Sequence, residues 1–174
     1  PKYLNGKESR WFKKDELLFG LYESASTIRT LQSALVVEGQ LDVISLHQAG
    51  ITNTVAAMGS ALSAHNLRVL WDMAPEIVLV MDGDSAGLKA AKAAVKIALP
   101  LIRDGQQLRI VMLPDQLDPD EFIRKYGADQ MRALVASSPQ MSEFLLGETR
   151  KRHPILTAEG QAAFLEGIDA LSRE

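Results

Sequence analysis

Ile77-Val78-Leu79-Val80-Met81-Asp82-Gly83-Asp84-Ser85-Ala86-Gly87 places two carboxylates and a glycine directly behind five consecutive apolar residues. A short apolar run bounded by turn residues predicts a strand buried in a sheet, and the alanine-rich stretch after Asp84 predicts a helix to about Arg103. The acids then stand at the C-terminal end of the strand. Two more stretches repeat the pattern. Val36 and Val37 close an expected strand over 34–38 and lead into Glu38-Gly39-Gln40-Leu41-Asp42, while Leu108 to Leu113 lies shortly before Asp118-Pro119-Asp120. In an open α/β sheet the carboxyl ends of the strands form the ligand-binding edge. Carboxylates gathered there repel one another and raise each other's pKa, so they call for a counter-charge. A hard divalent cation bound through oxygen answers that need, Mg²⁺ above all, because it takes one or two carboxylates and shares its other positions with water and phosphate.

Each cluster has an ordinary explanation when taken alone. Glu38-Gly39 followed by Asp42 suits a strand-to-helix turn with an acid in the first helical turn. Asp84 suits a helix N-cap. Asp118-Pro119-Asp120-Glu121 reads as a capping box with proline at the first helical position. The set carries the inference: acids at three separate strand ends on one edge of one sheet make a metal site.

The remaining elements follow from periodicity and turn chemistry. A helix is expected over about 40–48, closed by Gly50, then a strand over 54–58, and a helix over about 63–73 with Ser63 as its N-cap. In the long helix after Asp84, Leu88, Ala91, Val95, Ala98 and Ile102 share one face, and Lys89, Lys92 and Lys96 share another that reads as solvated. From Asp118 onward the pattern is helical over 119–126, 128–137, 140–151 and 158–172, with breaks at Gly127, Pro139 and Pro154. Leu17 to Tyr22 is a short apolar stretch, and 23–33 a helix or a connector. Alternating strands and helices predict a parallel sheet with right-handed crossovers, followed by a helical annex.

Composition narrows the classes. The 174 residues, 47% apolar, suffice for one sizeable core. The formal charge of −3 reads as indifference to nucleic acid, yet six negative charges belong to the clustered acids and the remainder is positive. With no cysteine, disulfides, thiolate nucleophiles and cysteine zinc sites are excluded, in keeping with a reducing cytoplasm. No apolar run approaches the length of a membrane span. In residues 1–14, Lys2, Lys7, Arg10, Lys13 and Lys14 interleave with Tyr3, Trp11 and Phe12, a pattern that suits either a nucleic-acid surface or a solvated edge with aromatics packed inward. His47, His65 and His153 have no ligand spacing, and surface or capping roles are expected.

Glu38-Gly39 after Val36-Val37, Asp82-Gly83-Asp84 with Ala86-Gly87, and Asp118-Pro119-Asp120 together resemble the TOPRIM domain of primases, topoisomerases and some nucleases. Pro1-Lys2-Tyr3-Leu4-Asn5, Gly20-Leu21-Tyr22-Glu23, Met58-Gly59-Ser60-Ala61-Leu62-Ser63 and Leu113-Pro114-Asp115 extend the resemblance to the catalytic core of the bacterial DnaG-type primases over nearly the whole chain. The resemblance implies an α/β fold: a TOPRIM, Rossmann-like sheet flanked by helices over 34–117, a C-terminal helical subdomain over 118–174, and an edge segment of the basic core lobe over 1–33. It implies Glu38, Asp82 and Asp84 as catalytic acids, these with Asp118 and Asp120 as contacts to Mg²⁺ or Mn²⁺, Asp42 as a supporting acid, and Lys2, Tyr3 and Lys14 as contacts to the template strand. Gln40 departs from the aromatic residue common in the family, and Leu41 from its methionine.

The activity so implied is nucleotidyl transfer, the making of short RNA primers on single-stranded DNA from nucleoside triphosphates. The family's zinc-binding domain, most of its basic lobe and its helicase-binding domain are not within this sequence, so a cytoplasmic monomer acting at the replication fork as part of a larger protein is expected, with the replicative helicase reached through a domain absent here. This piece alone is expected to be weak or inactive. Two other classes fit the acids: a metal-dependent phosphodiester-cleaving enzyme of nuclease or topoisomerase type, for which the available tyrosines Tyr3, Tyr22 and Tyr126 have no recognisable setting, and a non-catalytic module that holds metal or nucleotide.

Overall fold

The computed structural model describes residues 13–58 and 62–152. Five strands form one sheet: β1 (Leu18–Phe19), β2 (Ser33–Val37), β3 (Thr54–Ala57), β4 (Glu76–Met81) and β5 (Gln107–Met112), in the order β1-β3-β2-β4-β5. β3, β2, β4 and β5 are parallel, as the alternation of strand and helix predicts, whereas β1 is antiparallel at the β3 edge, pairing Leu18 with Ala57 and Phe19 with Ala56. The sheet is therefore mixed. A two-residue strand is too short to show any pattern, which is why Leu17 to Tyr22 reads only as an apolar stretch.

Alternate side chains along the strands feed two cores, because successive residues point to opposite faces. Ala34, Val36, Val55, Ile77, Leu79, Leu108 and Ile110 pack on one face with Leu67 and Leu70 of α3 (Ala64–Trp71), Ala91 and Val95 of α4 (Ser85–Ala98), and Met141 and Phe144 of α6 (Met141–Arg152). Leu35, Val37, Val78, Val80, Val111 and Leu113 pack on the other with Val43 and Leu46 of α2 (Gln40–Gln48) and Phe122 and Met131 of α5 (Pro119–Ala136). In β4, Ile77, Val78 and Val80 are fully buried and Leu79 is 1% exposed, and each such side chain contributes about 1.5–3 kcal/mol relative to exposure. Helices on both sides of the sheet explain why β4 is apolar from Ile77 to Met81 rather than alternating.

α1 (Leu21–Leu31) covers the Thr54 end of the β3 edge. Ser24 Oγ donates to Thr54 O at 2.7 Å, and His47 Nε2 lies 3.0 Å from that carbonyl and 3.1 Å from Ser24 Oγ. His47 thus helps to satisfy the Thr54 carbonyl, in a stretch of β3 that β1 does not pair, from a half-buried position. Ser63 caps α3 by accepting from the Asn66 N–H. Gly50, at φ +76°, closes α2. α4 ends at Ala98 instead of near Arg103: Leu99 keeps helical dihedrals as the C-cap and its N–H donates to Val95 O at 2.9 Å, and Pro100, which has no N–H, cannot continue the ladder. Gly127, at φ +82° and ψ 169°, is non-helical and interrupts α5 where the sequence predicts the break between the helices over 119–126 and 128–137. Lys92, expected to be solvated, bonds Glu148 of α6 at 2.8 Å. The helix expected over 158–172, His153, the Gly59-Ser60-Ala61 part of a quoted motif, and the basic and aromatic residues from Lys2 to Phe12 lie outside the described residues. No described helix is long and apolar enough to cross a membrane.

Candidate metal centre

From β2 the chain steps to β3 on one side and then crosses back to β4 on the other, so strand order reverses between β2 and β4. Ligands of open α/β sheets bind in the crevice beyond the carboxyl ends at such a reversal. Glu38 directly follows β2 and Asp82 directly follows β4. The two meet across the crevice, where the Asp82 N–H donates to Glu38 Oε1 at 3.3 Å.

The other acids reach this crevice from helix starts. Asp42 lies in the first turn of α2, nearly buried, and its Oδ2 accepts from the Gly39 N–H at 3.0 Å. Asp84 is the N-cap of α4, its Oδ1 accepting from the Ala86 and Gly87 N–H groups at 2.8 and 2.7 Å. Asp118 caps α5 by accepting from the Glu121 N–H at 2.7 Å, with Glu121 answering onto the Asp118 N–H at 3.3 Å. Asp120, in the first turn of α5, pairs with Arg124. The capping roles and the convergence coexist, since a cap occupies one carboxylate oxygen.

Two close approaches fix the spacing of these turns. A Cβ at Gly83 would lie 2.2 Å from Leu113 O, and one at Gly87 would lie 2.2 Å from Asp82 O. Neither position has room for a side chain. The Asp82-Gly83-Asp84 turn thereby presses on the strand-to-helix connection that delivers Asp118, and the first turn of α4 sits directly on the backbone of Asp82.

The electrostatics follow from this crowding. Burial first, then the charges of Glu38, Asp42, Asp118 and Asp84, push the Asp82 carboxyl up to about 7. Burial and then Asp118 raise Asp42 to about 6, against the backbone N–H groups of Gly39 and Asp120, which favour its ionised form. Glu38 is raised by burial, with the Asp82 N–H opposing and Asp84 adding to the rise. Among the described residues, no lysine or arginine forms an ion pair with Glu38, Asp42 or Asp82. Asp82 Oδ1 is buried without a hydrogen-bond partner. A carboxylate oxygen withdrawn from water and left unpaired is costly. A divalent cation would supply such a partner, and an oxygen-only donor set is of the kind that suits Mg²⁺ or Mn²⁺. Among the described residues, no group of three or more His, Cys, Asp or Glu side chains is placed to hold a metal ion. An open site with one or two carboxylates is the arrangement Mg²⁺ uses when phosphate completes its shell.

Some residues stand apart from the crevice acids. Lys14 lies in a single helical turn beside the C-terminal end of β3, where the Met58 N–H donates to Leu17 O at 3.0 Å. Gln40 donates its Nε2 to Met58 Sδ at 3.1 Å, so a local contact occupies it, and Leu41 is exposed. Tyr126 donates its hydroxyl to Asp115 at 2.7 Å, which explains the absence of a nucleophile setting around it. That contact has no sequence signal beyond Leu113-Pro114-Asp115, because Asp115 and Tyr126 come together only when the connection folds back on α5.

Residues 35–123 match the model of the Toprim-like family. The chain is 40% identical to a DNA primase of Pseudomonas aeruginosa over 163 residues, 93% of this chain and 24% of that protein. It is 38% identical to a DNA primase of Rickettsia conorii over 162 residues, 93% of this chain and 27% of that protein. Among solved structures, a DnaG catalytic core superposes with a TM-score of 0.89 at 36% identity, covering 98% of this chain and 55% of that one. A DnaG primase catalytic domain bound to single-stranded DNA superposes with a TM-score of 0.86 at 38% identity, covering 93% and 51%. The chain thus spans about a quarter of the length of the curated relatives it matches and about half of the solved cores.

Proposed function

The chain belongs to the Toprim-like family, and from that premise we propose that it is the metal-holding part of a DnaG-type DNA primase, which makes short RNA primers on single-stranded DNA by nucleotidyl transfer. One observation carries the proposal: acids from three connections surround an unpartnered carboxylate at the switch point of the sheet, in a chain that is 40% identical to a DNA primase over most of its length.

Asp82 and Glu38 would hold the ion most directly, with Asp84 and Asp118 offering the oxygens left over from capping and Asp120 contributing once Arg124 releases it. Bound there, a divalent ion would lower the pKa of an attacking hydroxyl and offset charge on a triphosphate. Asp42 acts as the supporting acid: its bond to the Gly39 N–H fixes the turn that carries Glu38. Glu38 stands beside the crevice with its pKa raised by burial, which suits it to accept a proton from a primer 3′-hydroxyl when it is not a ligand. Lys2, Tyr3 and Lys14 would contact the template strand, and the helicase would be met through another part of the whole protein.

Calorimetric titration of a nucleoside triphosphate into the chain, with and without Mg²⁺ or Mn²⁺, tests the proposal. Metal-dependent binding is expected, lost in the Asp82→Asn, Asp84→Asn double variant with the fold retained, since asparagine also caps helices. Equal nucleotide affinity with and without metal points instead to a binding module. Metal-dependent nicking of DNA without triphosphate points to a phosphodiester-cleaving enzyme.

A further inference from the structure

We infer that Asp115, clamped by Tyr126 and Lys125, is a positioning residue that holds the Asp82 and Asp118 turns at their working separation. The inference rests on the metal-site reading above. Asp115 accepts from Tyr126 Oη at 2.7 Å and from Lys125 Nζ at 3.0 Å, and Lys125 Nζ sits 4.8 Å from the centroid of the Tyr126 ring. The ring in turn lies 4.9 Å from that of Phe122, which is buried in the core under the sheet. The clamp therefore joins the 114–116 turn to a fixed part of α5.

That turn needs holding. Asp115 and Gln116 both adopt left-handed backbone, at φ +59° and +58°, a conformation that costs a residue with a side chain about 1–2 kcal/mol. The same turn forms the wall against which Gly83 is pressed: a Cβ there would lie 2.9 Å from Gln116 Cα and 2.2 Å from Leu113 O. The Gly83 N–H also donates to Leu117 O at 3.1 Å, and the Leu113 N–H donates to Met81 O at 3.0 Å. Asp82 is bracketed by these bonds. When the clamp opens, the turn relaxes from its left-handed conformation, the Gly83 bond to Leu117 loosens, and the Asp82 carboxylate drifts relative to Asp118. The clamp lies outside the crevice and need not touch metal or substrate.

The test uses Mn²⁺ affinity of the 174-residue chain and amide hydrogen exchange at Gly83 in metal-free protein. Tyr126→Phe removes one bond without changing charge. Lys125→Met removes a positive charge near an acidic site, which by electrostatics alone would tighten cation binding. A positioning role instead weakens Mn²⁺ binding in the double variant by about tenfold, the low end for loss of an outer-shell partner, and speeds exchange of the Gly83 amide. Arg109→Met, at the opposite edge of the sheet, serves as a comparison in which melting temperature falls and Mn²⁺ affinity does not. Unchanged or tighter Mn²⁺ binding by the Lys125→Met, Tyr126→Phe double variant, with Gly83 exchange at the parent rate, would overturn the positioning role alone. A parent chain that binds no Mn²⁺ would overturn the metal-site reading and this inference with it.

Discussion

β4 carries a carboxylate at each end, and the two are treated in opposite ways. At the N-terminal end, Glu76 Oε1 accepts from Arg109 Nη1 at 3.0 Å, and the same guanidinium donates to the carbonyls of Ala136 and Ser138. Every charge there has a partner. At the C-terminal end, Asp82 has an orphaned oxygen, other carboxylates around it and no cationic side chain among the described residues in an ion pair with it. The same strand anchors a satisfied ion pair and an unsatisfied acid cluster, so the difference does not come from where a sheet puts charge. Structure is served at one end, and at the other a buried carboxylate oxygen is left without a partner.

Deforming the acid end directly is expected to have the largest effect. Gly83→Ala forces a methyl group against Leu113 O, and the turn must move. Overpacking of this kind costs about 3 kcal/mol, visible as a lower denaturation midpoint, and Mn²⁺ binding should be lost with it. Retained Mn²⁺ binding in this variant would separate the acid spacing from the Leu113–Gln116 turn.

Arg109→Met breaks the other end. Glu76, mostly buried, and the carbonyls of Ala136 and Ser138 lose their donor together. The expected cost is about 2–3 kcal/mol, below that of a fully buried pair. Metal and nucleotide affinities should stay at the parent value, because the change lies across the sheet from the crevice. A matching loss of metal affinity would show that the two ends are coupled.

A large part of this was readable in advance. The apolar run before Asp82, the repeated run-then-acid pattern and the turn glycines specify parallel strands and the edge they share, because burial and local turn chemistry act within a few residues. What escaped were features set by distance in space. β1 is two residues long, and its antiparallel pairing depends on the free edge of β3 rather than on its own composition. The Lys92 bond to Glu148 depends on where α6 docks. That Asp120 pairs with Arg124 follows from helical spacing, yet which acids are neutralised and which are left bare depends on the assembled surface, and the bareness of Asp82 is the feature that points to function.

Proton linkage supplies a smaller test of the same contrast. The Asp82 carboxyl rises from 3.8 to about 7 on folding. Between those values the folded chain holds a proton that the unfolded chain has released, so stability is greatest below the window and falls as pH rises through it. Asp42, raised to about 6, adds in the same direction. With solvent screening of the partly exposed Asp82, its replacement by asparagine should stabilise the metal-free chain at pH 8 by about 1–2 kcal/mol. The gain should vanish at pH 4 and shrink in saturating Mg²⁺, which stabilises the parent by binding its folded state. Thermal melts at the two pH values, with and without Mg²⁺, check all three statements. A stability profile that rises from pH 4 to pH 8 would mean that Asp82 is neutralised in solution much as Glu76 is.

The smallest effect concerns the turn that holds the acid end in place. Gln116, at φ +58°, has no hydrogen bond from its side chain among those described, so replacing it with glycine removes the left-handed penalty and no described bond. Against that gain of about 1–2 kcal/mol stands the extra freedom glycine has in the unfolded chain, about 0.5–1 kcal/mol. The net is a stabilisation of roughly 0.5 kcal/mol, or about 1–2 °C in melting temperature for a chain of this size. Because the turn also walls Gly83, the Mn²⁺ affinity of Gln116→Gly separates two sources of order. If the Asp115 clamp alone holds the turn, affinity is unchanged. If the stiffness of Gln116 contributes, affinity falls although the protein melts higher, and a metal site weakened by a stabilising substitution would show that the turn's rigidity serves the acids rather than the fold.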